Sequence, residues 1–259
     1  MWAFLPKKLK MQNKTISIII ATYNSGLTLK ECLDSLLAQT NLSLNIIIID
    51  GNSTDNTKDI IHRYEAKIKY YISEPDNGVY DAWNKGLLHI DTDWVMFLGS
   101  DDVLYPNAIE NYIRYIEKNK DKNLILSKAE LIDKNKEIIR VIGGPWNFLK
   151  FRRYMNIVHT GSIHHVSLFQ KFGEFNSKYK IAGDYEFLSR CERVVNAGFI
   201  DSVMMKMGYG GLSTKNIHKV FFETFYIKNK ILKINIWVNI FDLLLSYLKH
   251  YRRFFLNVD

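Results

Sequence analysis

The sequence predicts an α/β fold, a Rossmann-like, mostly parallel sheet flanked by helices, with a basic amphipathic helical tail. Three observations carry this. Apolar, β-branched runs alternate with helically periodic stretches over the first hundred residues. Small polar and acidic residues follow each apolar run. At 259 residues and 47% hydrophobic side chains, the chain can bury a full core and is not a disordered or low-complexity segment.

Residues 15–20 and 44–49 read as strands buried on both faces, because each is a short continuous run rich in isoleucine. Between them, residues 28–39 carry Leu29, Cys32, Leu33, Leu36 and Leu37 at helical spacing. A second helix is expected over 54–64, with Ser53 or Thr54 as N-cap. Residues 68–72 form a third strand, 79–90 a third helix and 94–98 a fourth strand ending at Gly99-Ser100-Asp101-Asp102. This alternation implies right-handed βαβ crossovers in a parallel sheet. Beyond Pro106 a helix is expected to about residue 118, then a strand over 123–127. A hairpin over 129–142 is expected to turn at 133–136, with a break at Gly143-Gly144-Pro145. Residues 146–212 lack regular βα alternation and are read as completing the same domain.

Composition narrows the function classes. Cys32 and Cys191 have no partner at zinc or disulfide spacing, which fits a reducing compartment. No apolar run reaches the roughly 18 to 20 residues needed to span a bilayer, and the order of apolar and basic residues over 1–10 reverses that of a signal peptide. The formal charge is +8, but it sits at the ends: Lys7, Lys8, Lys10 and Lys14 at one, and eight Lys/Arg against three acids over 215–259 at the other. A near-neutral body with basic ends favours an anionic lipid surface over nucleic acid. In the tail, Ile234, Trp237, Val238, Phe241, Leu244, Leu245, Leu248 and Tyr251 fall on one helical stripe. Asn235, Asn239, Asp242, Ser246, Lys249, His250 and Arg253 fall on the other. One reading is an in-plane membrane helix with Lys228, Lys230, Lys233, Arg252 and Arg253 at the headgroups; the other is a helix packed on the body or on a second subunit. The organisation expected is a basic extension over 1–14, a catalytic domain over 15–213 and the tail over 214–259.

In a parallel sheet the ligand crevice lies at the carboxyl ends of the strands, where this chain concentrates its polar residues. Thr22, Tyr23 and Asn24 follow the first strand, Asp50 to Asp55 the second, Glu74 to Gly78 the third, and Asp101-Asp102 the fourth. Paired carboxylates on a strand end suit a hard divalent cation that also binds phosphate oxygens. Asp50 either accepts from the imide N–H of a uracil-like base or caps the helix after it; Asp55 and Asp81 each either meet ligand or favour a helix N-terminus. Asp184, in Ala182-Gly183-Asp184-Tyr185-Glu186, is either a general base or a helix cap. His159 binds acceptor or metal, or is a structural residue. No Gly-x-x-x-x-Gly-Lys-Ser/Thr, Gly-x-Gly-x-x-Gly or Gly-x-Ser-x-Gly occurs, which removes P-loop ATPases, dinucleotide oxidoreductases and α/β-hydrolases.

Four of these segments, in order and spacing, resemble family-2 glycosyltransferases of the GT-A fold: Ile18-Ile19-Ile20-Ala21-Thr22-Tyr23-Asn24, Ile49-Asp50-Gly51-Asn52-Ser53-Thr54-Asp55, the run from Glu74 through Asp76-Asn77-Gly78-Val79-Tyr80-Asp81 to Gly86, and Phe97-Leu98-Gly99-Ser100-Asp101-Asp102. The likeness is strongest over 15–110 and extends more loosely to about 213. It implies a nucleotide-sugar donor, a UDP-sugar, with Mn²⁺ or Mg²⁺, and inversion at the anomeric carbon. It assigns Thr22, Tyr23, Asp50 and Asp81 to nucleotide binding, and Asp101 with Asp102 to the family's Asp-x-Asp-type cofactor site. Asp102 is the metal ligand, Asp184 the general base and His159 an acceptor contact. Such proteins build surface polysaccharide, which implies a polyprenyl-diphosphate-linked saccharide acceptor and a cytoplasmic, peripheral position on the inner face of the plasma membrane. Transfer to a polyprenyl phosphate, or a non-catalytic sugar-nucleotide-binding scaffold, is the alternative.

Overall fold

The computed structural model describes residues 15–39 and 44–256. The four N-terminal lysines of the basic extension, and the side chain of Arg253, lie outside the described residues.

Strand β1 (Ile16–Thr22) is isoleucine-rich and buried on both faces, and it pairs in parallel with β2 (Leu44–Asp50) and β4 (Trp94–Gly99). β2 pairs in parallel with β3 (Ile68–Ser73). Helices α1 (Leu29–Leu37), α2 (Thr57–Arg63) and α3 (Val79–Leu87) make the crossovers. Alternation along β1 divides the core: Ile18 and Ile20 pack with Leu33 of α1 and Ile61 of α2, whereas Ile19 packs with Tyr80 and Trp83 of α3 on the opposite face. Register aligns the strand ends, setting Thr22 beside Asp50, Asp50 beside Ser73, and Ala21 beside Gly99.

The sheet then becomes mixed. The short β5 (Val103–Leu104) and helix α4 (Ala108–Lys118) lead into β6 (Leu124–Ile132), which forms the expected hairpin with β7 (Ile138–Ile142). After α5 (Phe148–Phe151), strand β8 (Ile163–His165) lies antiparallel between β4 and β6. Helices α6 (Ser167–Phe172) and α7 (Gly183–Cys191) cover the Ile19 face. The twelve-residue β9 (Ala197–Gly208) pairs in parallel with β6 and antiparallel with β5. The path among the described residues is β3-β2-β1-β4-β8-β6-β9-β5.

Two local expectations are corrected. α2 starts at Thr57, not 54, and neither Ser53 nor Thr54 caps it. Ser53 is bound instead to the Asp50 carboxylate through both its N–H and its hydroxyl, while Asp55 accepts from the Thr57 N–H at 3.0 Å and from the Thr57 hydroxyl at 2.5 Å. Those competing side-chain bonds hold 50–55 as a loop.

The second correction concerns the tail, which is α8 (Leu212–Lys215) followed by a pair of helices, α9 (Ile217–Lys230) and α10 (Ile236–Leu256). Lys228, expected at lipid headgroups, is 2% exposed and ion-paired with Asp242, which also binds Arg153. Asn239, 1% exposed, donates to the Phe225 carbonyl. Asn239 and Asp242 of the α10 polar stripe thus face the protein, while Lys249 is exposed. The apolar stripe of α10, Trp237, Phe241, Leu244 and Leu248, faces outward at 56–75% exposure. No helix among the described residues is long and apolar enough to cross a membrane.

Candidate active site

Asp101, Asp102, His159 and Asp184 line one cleft of about 520 Å³, floored by Tyr80 and Trp83 and edged by Gly208, Tyr209 and Thr214. Four residues separated by up to 83 positions thereby meet at the carboxyl end of β4, as the open-sheet rule requires. Thr22, Tyr23, Asp50 and Asp81 stand outside that cleft, at the adjoining ends of β1 and β2 and on the first turn of α3.

On the β4 side, Asp102 is 2% exposed and its Oδ2 accepts from the Gly99 N–H at 2.8 Å. Burial pushes its carboxyl well above the usual carboxylate range, and the neighbouring Asp101 charge pushes it further. Asp101 points from the turn toward Gly208, where a Cβ would lie 2.8 Å from its Oδ2. Among the described residues neither carboxylate has an ion-pair partner. The buried Asp102 and the exposed Asp101 beside it, crowded together without a counter-charge, are a donor set that fits a hard divalent cation completed by phosphate oxygens and water. No group of three or more His, Cys, Asp or Glu converges for a closed protein cage among the described residues.

Across the cleft, Asp184 stands on the first turn of α7. Its Oδ1 accepts from the Tyr185 N–H at 2.8 Å and lies 3.0 Å from the Tyr80 hydroxyl, whose single proton is shared with the Ile181 carbonyl at 2.6 Å. Burial lifts the Asp184 carboxyl to about 6, against the lowering effect of those hydrogen bonds. Gly183 is required here, because a Cβ would lie 2.7 Å from the Tyr80 ring that aims the carboxylate.

His159 is 5% exposed and packs on Trp83, Phe97 and His164, with ring centroids 4.8–5.8 Å away. Burial holds it neutral, its pKa lowered to about 3. Both its ring nitrogens and the Trp83 Nε1 are buried without a hydrogen-bond partner among the described residues.

The adjoining strand ends are ordered as a shelf. The buried Asp50 carboxylate binds Ser53, and Ser73 donates to it at 2.5 Å, so its oxygens organise the β2 end rather than capping α2. Tyr23 is 63% exposed; a Cβ on Gly51 would meet both its ring, at 3.3 Å, and the Asp76 carboxylate, at 2.7 Å. Thr22 is 4% exposed, and its hydroxyl is unpartnered among the described residues. Asp81 accepts from the Asn77 N–H at 2.8 Å, closing the first turn of α3 after Gly78, which adopts φ 106°. Sequence reasoning missed Tyr80, Trp83 and Lys180 as site residues. Tyr80 and Trp83 lie within the quoted Glu74–Gly86 run, but their side chains meet Asp184 and His159 only through the tertiary fold.

The glycosyl transferase family 2 model matches residues 17–176. A PGL/p-HBAD biosynthesis glycosyltransferase of Mycobacterium bovis is 28% identical over 214 residues, covering 80% of this chain and 82% of its own length. An uncharacterized glycosyltransferase of Rickettsia conorii is 32% identical, covering 77% of this chain and 35% of its own length. Among solved structures, S. aureus TarS in complex with UDP-GlcNAc superposes with a TM-score of 0.69 at 17% identity, over 92% of this chain and 73% of that one. The Pyrobaculum calidifontis mannosyltransferase in complex with GDP-Man and Mn²⁺ gives 0.63 at 15%, over 92% and 74%. The family model spans more than half of the chain and includes Asp101, Asp102 and His159 of the cleft, and this chain belongs to glycosyl transferase family 2, with the GT-A fold.

Proposed function

We infer that the chain is a metal-dependent, inverting glycosyltransferase that moves a sugar from a UDP-sugar to a hydroxyl of a saccharide acceptor. The observation that carries this is the placement of Asp101-Asp102 and Asp184 on one cleft. Asp101 and Asp102 would hold the cation, which supplies charge neutralisation to the departing diphosphate. Thr22, Tyr23, Asp50 and Asp81 form the nucleotide shelf, with the exposed Tyr23 ring available to the base. Asp184 takes the acceptor proton as the acceptor oxygen bonds the anomeric carbon and the bond from that carbon to the phosphate oxygen breaks on the opposite side. His159 and Trp83 line the same cleft and are suited to packing against the apolar face of a sugar ring. The functional unit is the domain over 15–213 with its tail.

A donor panel tests the reading. UDP-sugars with Mn²⁺ are expected to raise the melting temperature, by roughly RT ln(1 + [L]/Kd) in free energy, whereas GDP- and dTDP-sugars or UDP-sugars with EDTA leave it unchanged. Equal shifts with and without metal would remove the cation from the account.

The acceptor is proposed to be a polyprenyl-diphosphate-linked saccharide of surface-polysaccharide assembly, met at the inner face of the plasma membrane. Supporting this are the outward apolar stripe of α10, the exposed Lys230, Lys233, Lys249 and Arg252 near it, and the basic residues over 1–14. Phe241→Glu with Leu244→Glu is expected to abolish sedimentation with phosphatidylglycerol vesicles while preserving folding. Undiminished sedimentation of a folded variant would assign that face to another role, such as a second copy of the chain.

A further inference from the structure

Glu223 lies on α9, in the tail beyond the segment that the family model matches. Its side chain turns inward and the residue is 7% exposed. The carboxylate receives three consecutive backbone N–H groups: Lys180 to Oε1 at 2.9 Å, Ile181 to Oε2 at 3.0 Å and Ala182 to Oε2 at 2.9 Å. These residues lead directly into Gly183 and Asp184. A buried carboxylate held by three amides is a charge-assisted anchor, and the amides it satisfies precede the first turn of α7.

The same short segment is tied on its other side to the nucleotide shelf. The Lys180 ammonium donates to the Asn77 carbonyl at 2.5 Å and to the Ser177 carbonyl at 3.0 Å. The Ile181 carbonyl accepts from Tyr80, whose hydroxyl also lies 3.0 Å from Asp184 Oδ1. Residues 180–182 are therefore clamped between α9 and the elements at the ends of β3 and α3.

We propose that Glu223 is a positioning residue for transfer: through the 180–182 backbone it fixes where the Asp184 carboxylate stands relative to the donor side of the cleft. This rests on the reading of Asp184 as the base. It also makes the tail part of the catalytic unit, so that removing it costs chemistry as well as any surface attachment. Misplacement of a reacting group by about 1 Å can cost roughly 100-fold in rate, whereas the Glu223 carboxylate bonds the 180–182 amides and none of Thr22, Tyr23, Asp50, Asp81, Asp101 and Asp102, the residues assigned to the donor.

The test uses the full chain with Glu223→Gln, which conserves volume but replaces one acceptor oxygen by an amide that opposes an N–H. Hydrolysis of the UDP-sugar selected by the donor panel is followed with Mn²⁺, together with amide hydrogen exchange at 180–182. The expected result is a fall in kcat of about 10- to 100-fold, donor KM within twofold of the parent, and faster exchange confined to 180–182 and the start of α7. A kcat within twofold of the parent, or kcat and KM deteriorating together with a general loss of protection, overturns the inference. Glu223→Asp, which keeps the charge but shortens the reach by one methylene, is expected to show the same kcat-specific loss; parental kcat would equally overturn it. Asp184→Asn measured alongside separates the two readings. If that variant keeps parental turnover, the assignment of the base has failed; if it is inactive while both Glu223 variants are unimpaired, only the positioning role has failed.

Discussion

Asp184→Asn is expected to lower kcat by about 10²- to 10⁴-fold while leaving UDP affinity in Mn²⁺ within twofold of the parent. The amide retains an oxygen to accept from Tyr80 and the Tyr185 N–H, so the local geometry survives and only the proton acceptor is lost. The pH dependence has a definite sign. Burial raises the carboxyl from 3.8 to about 6, and the working form is the carboxylate, so kcat should rise through about pH 6 in the parent. The residual rate of the variant should lack that limb. The same shift sets a stability relation: the folded protein binds the Asp184 proton more tightly than the unfolded chain does. Its contribution is most favourable below about pH 4 and declines as pH rises through about 6, at a cost on the order of 2–3 kcal/mol above that. Removing the charge should thus raise the melting temperature at pH 7.5 by a few degrees. An inactive but more stable protein identifies a catalytic loss; parental turnover would exclude Asp184 as the base.

Asp102→Ala is expected to weaken UDP binding in Mn²⁺ by roughly 100-fold, about 2.7 kcal/mol, and to make the remaining affinity indifferent to EDTA. Asp102 is buried, carries a raised pKa and has no counter-charge among the described residues, so its ionised form is costly unless a cation accompanies it. Asp102→Asn separates the cation from the loop, because the amide oxygen still accepts from the Gly99 N–H. It should keep the fold and lose the metal dependence. Metal-dependent UDP affinity equal to the parent's in both variants would remove Asp102 from the site.

What the sequence made legible is what local patterning determines. The isoleucine runs of β1 and β2 must be buried on both faces, and the parallel pairing of β1 with both β2 and β4 puts Asp50 and Asp102 at one end of the sheet. The start of α2 was not legible, because Asp50 and Asp55 form bonds within the loop that compete with a helix turn. β9 was missed because Asp201, Ser202 and Lys206 interrupt its apolar pattern, and its order comes from pairing with β6 and β5. The amphipathic stripe of α10 was visible, but a stripe does not reveal which side meets the protein. Ion-pair partners decide that, and here the buried Lys228 and the exposed Arg153 hold Asp242 against the protein. Glu223 had no sequence signal at all, since its partners are backbone amides.

A crystal structure of the full chain with UDP and Mn²⁺, using anomalous scattering to place the manganese, would show whether the two sides of the cleft serve one reaction. Manganese is expected to be bound by the Asp102 carboxylate and the diphosphate oxygens, with Asp184 facing them across the same cleft. Manganese away from Asp102, or a diphosphate seated outside the space between Asp102 and Asp184, would contradict a single shared site.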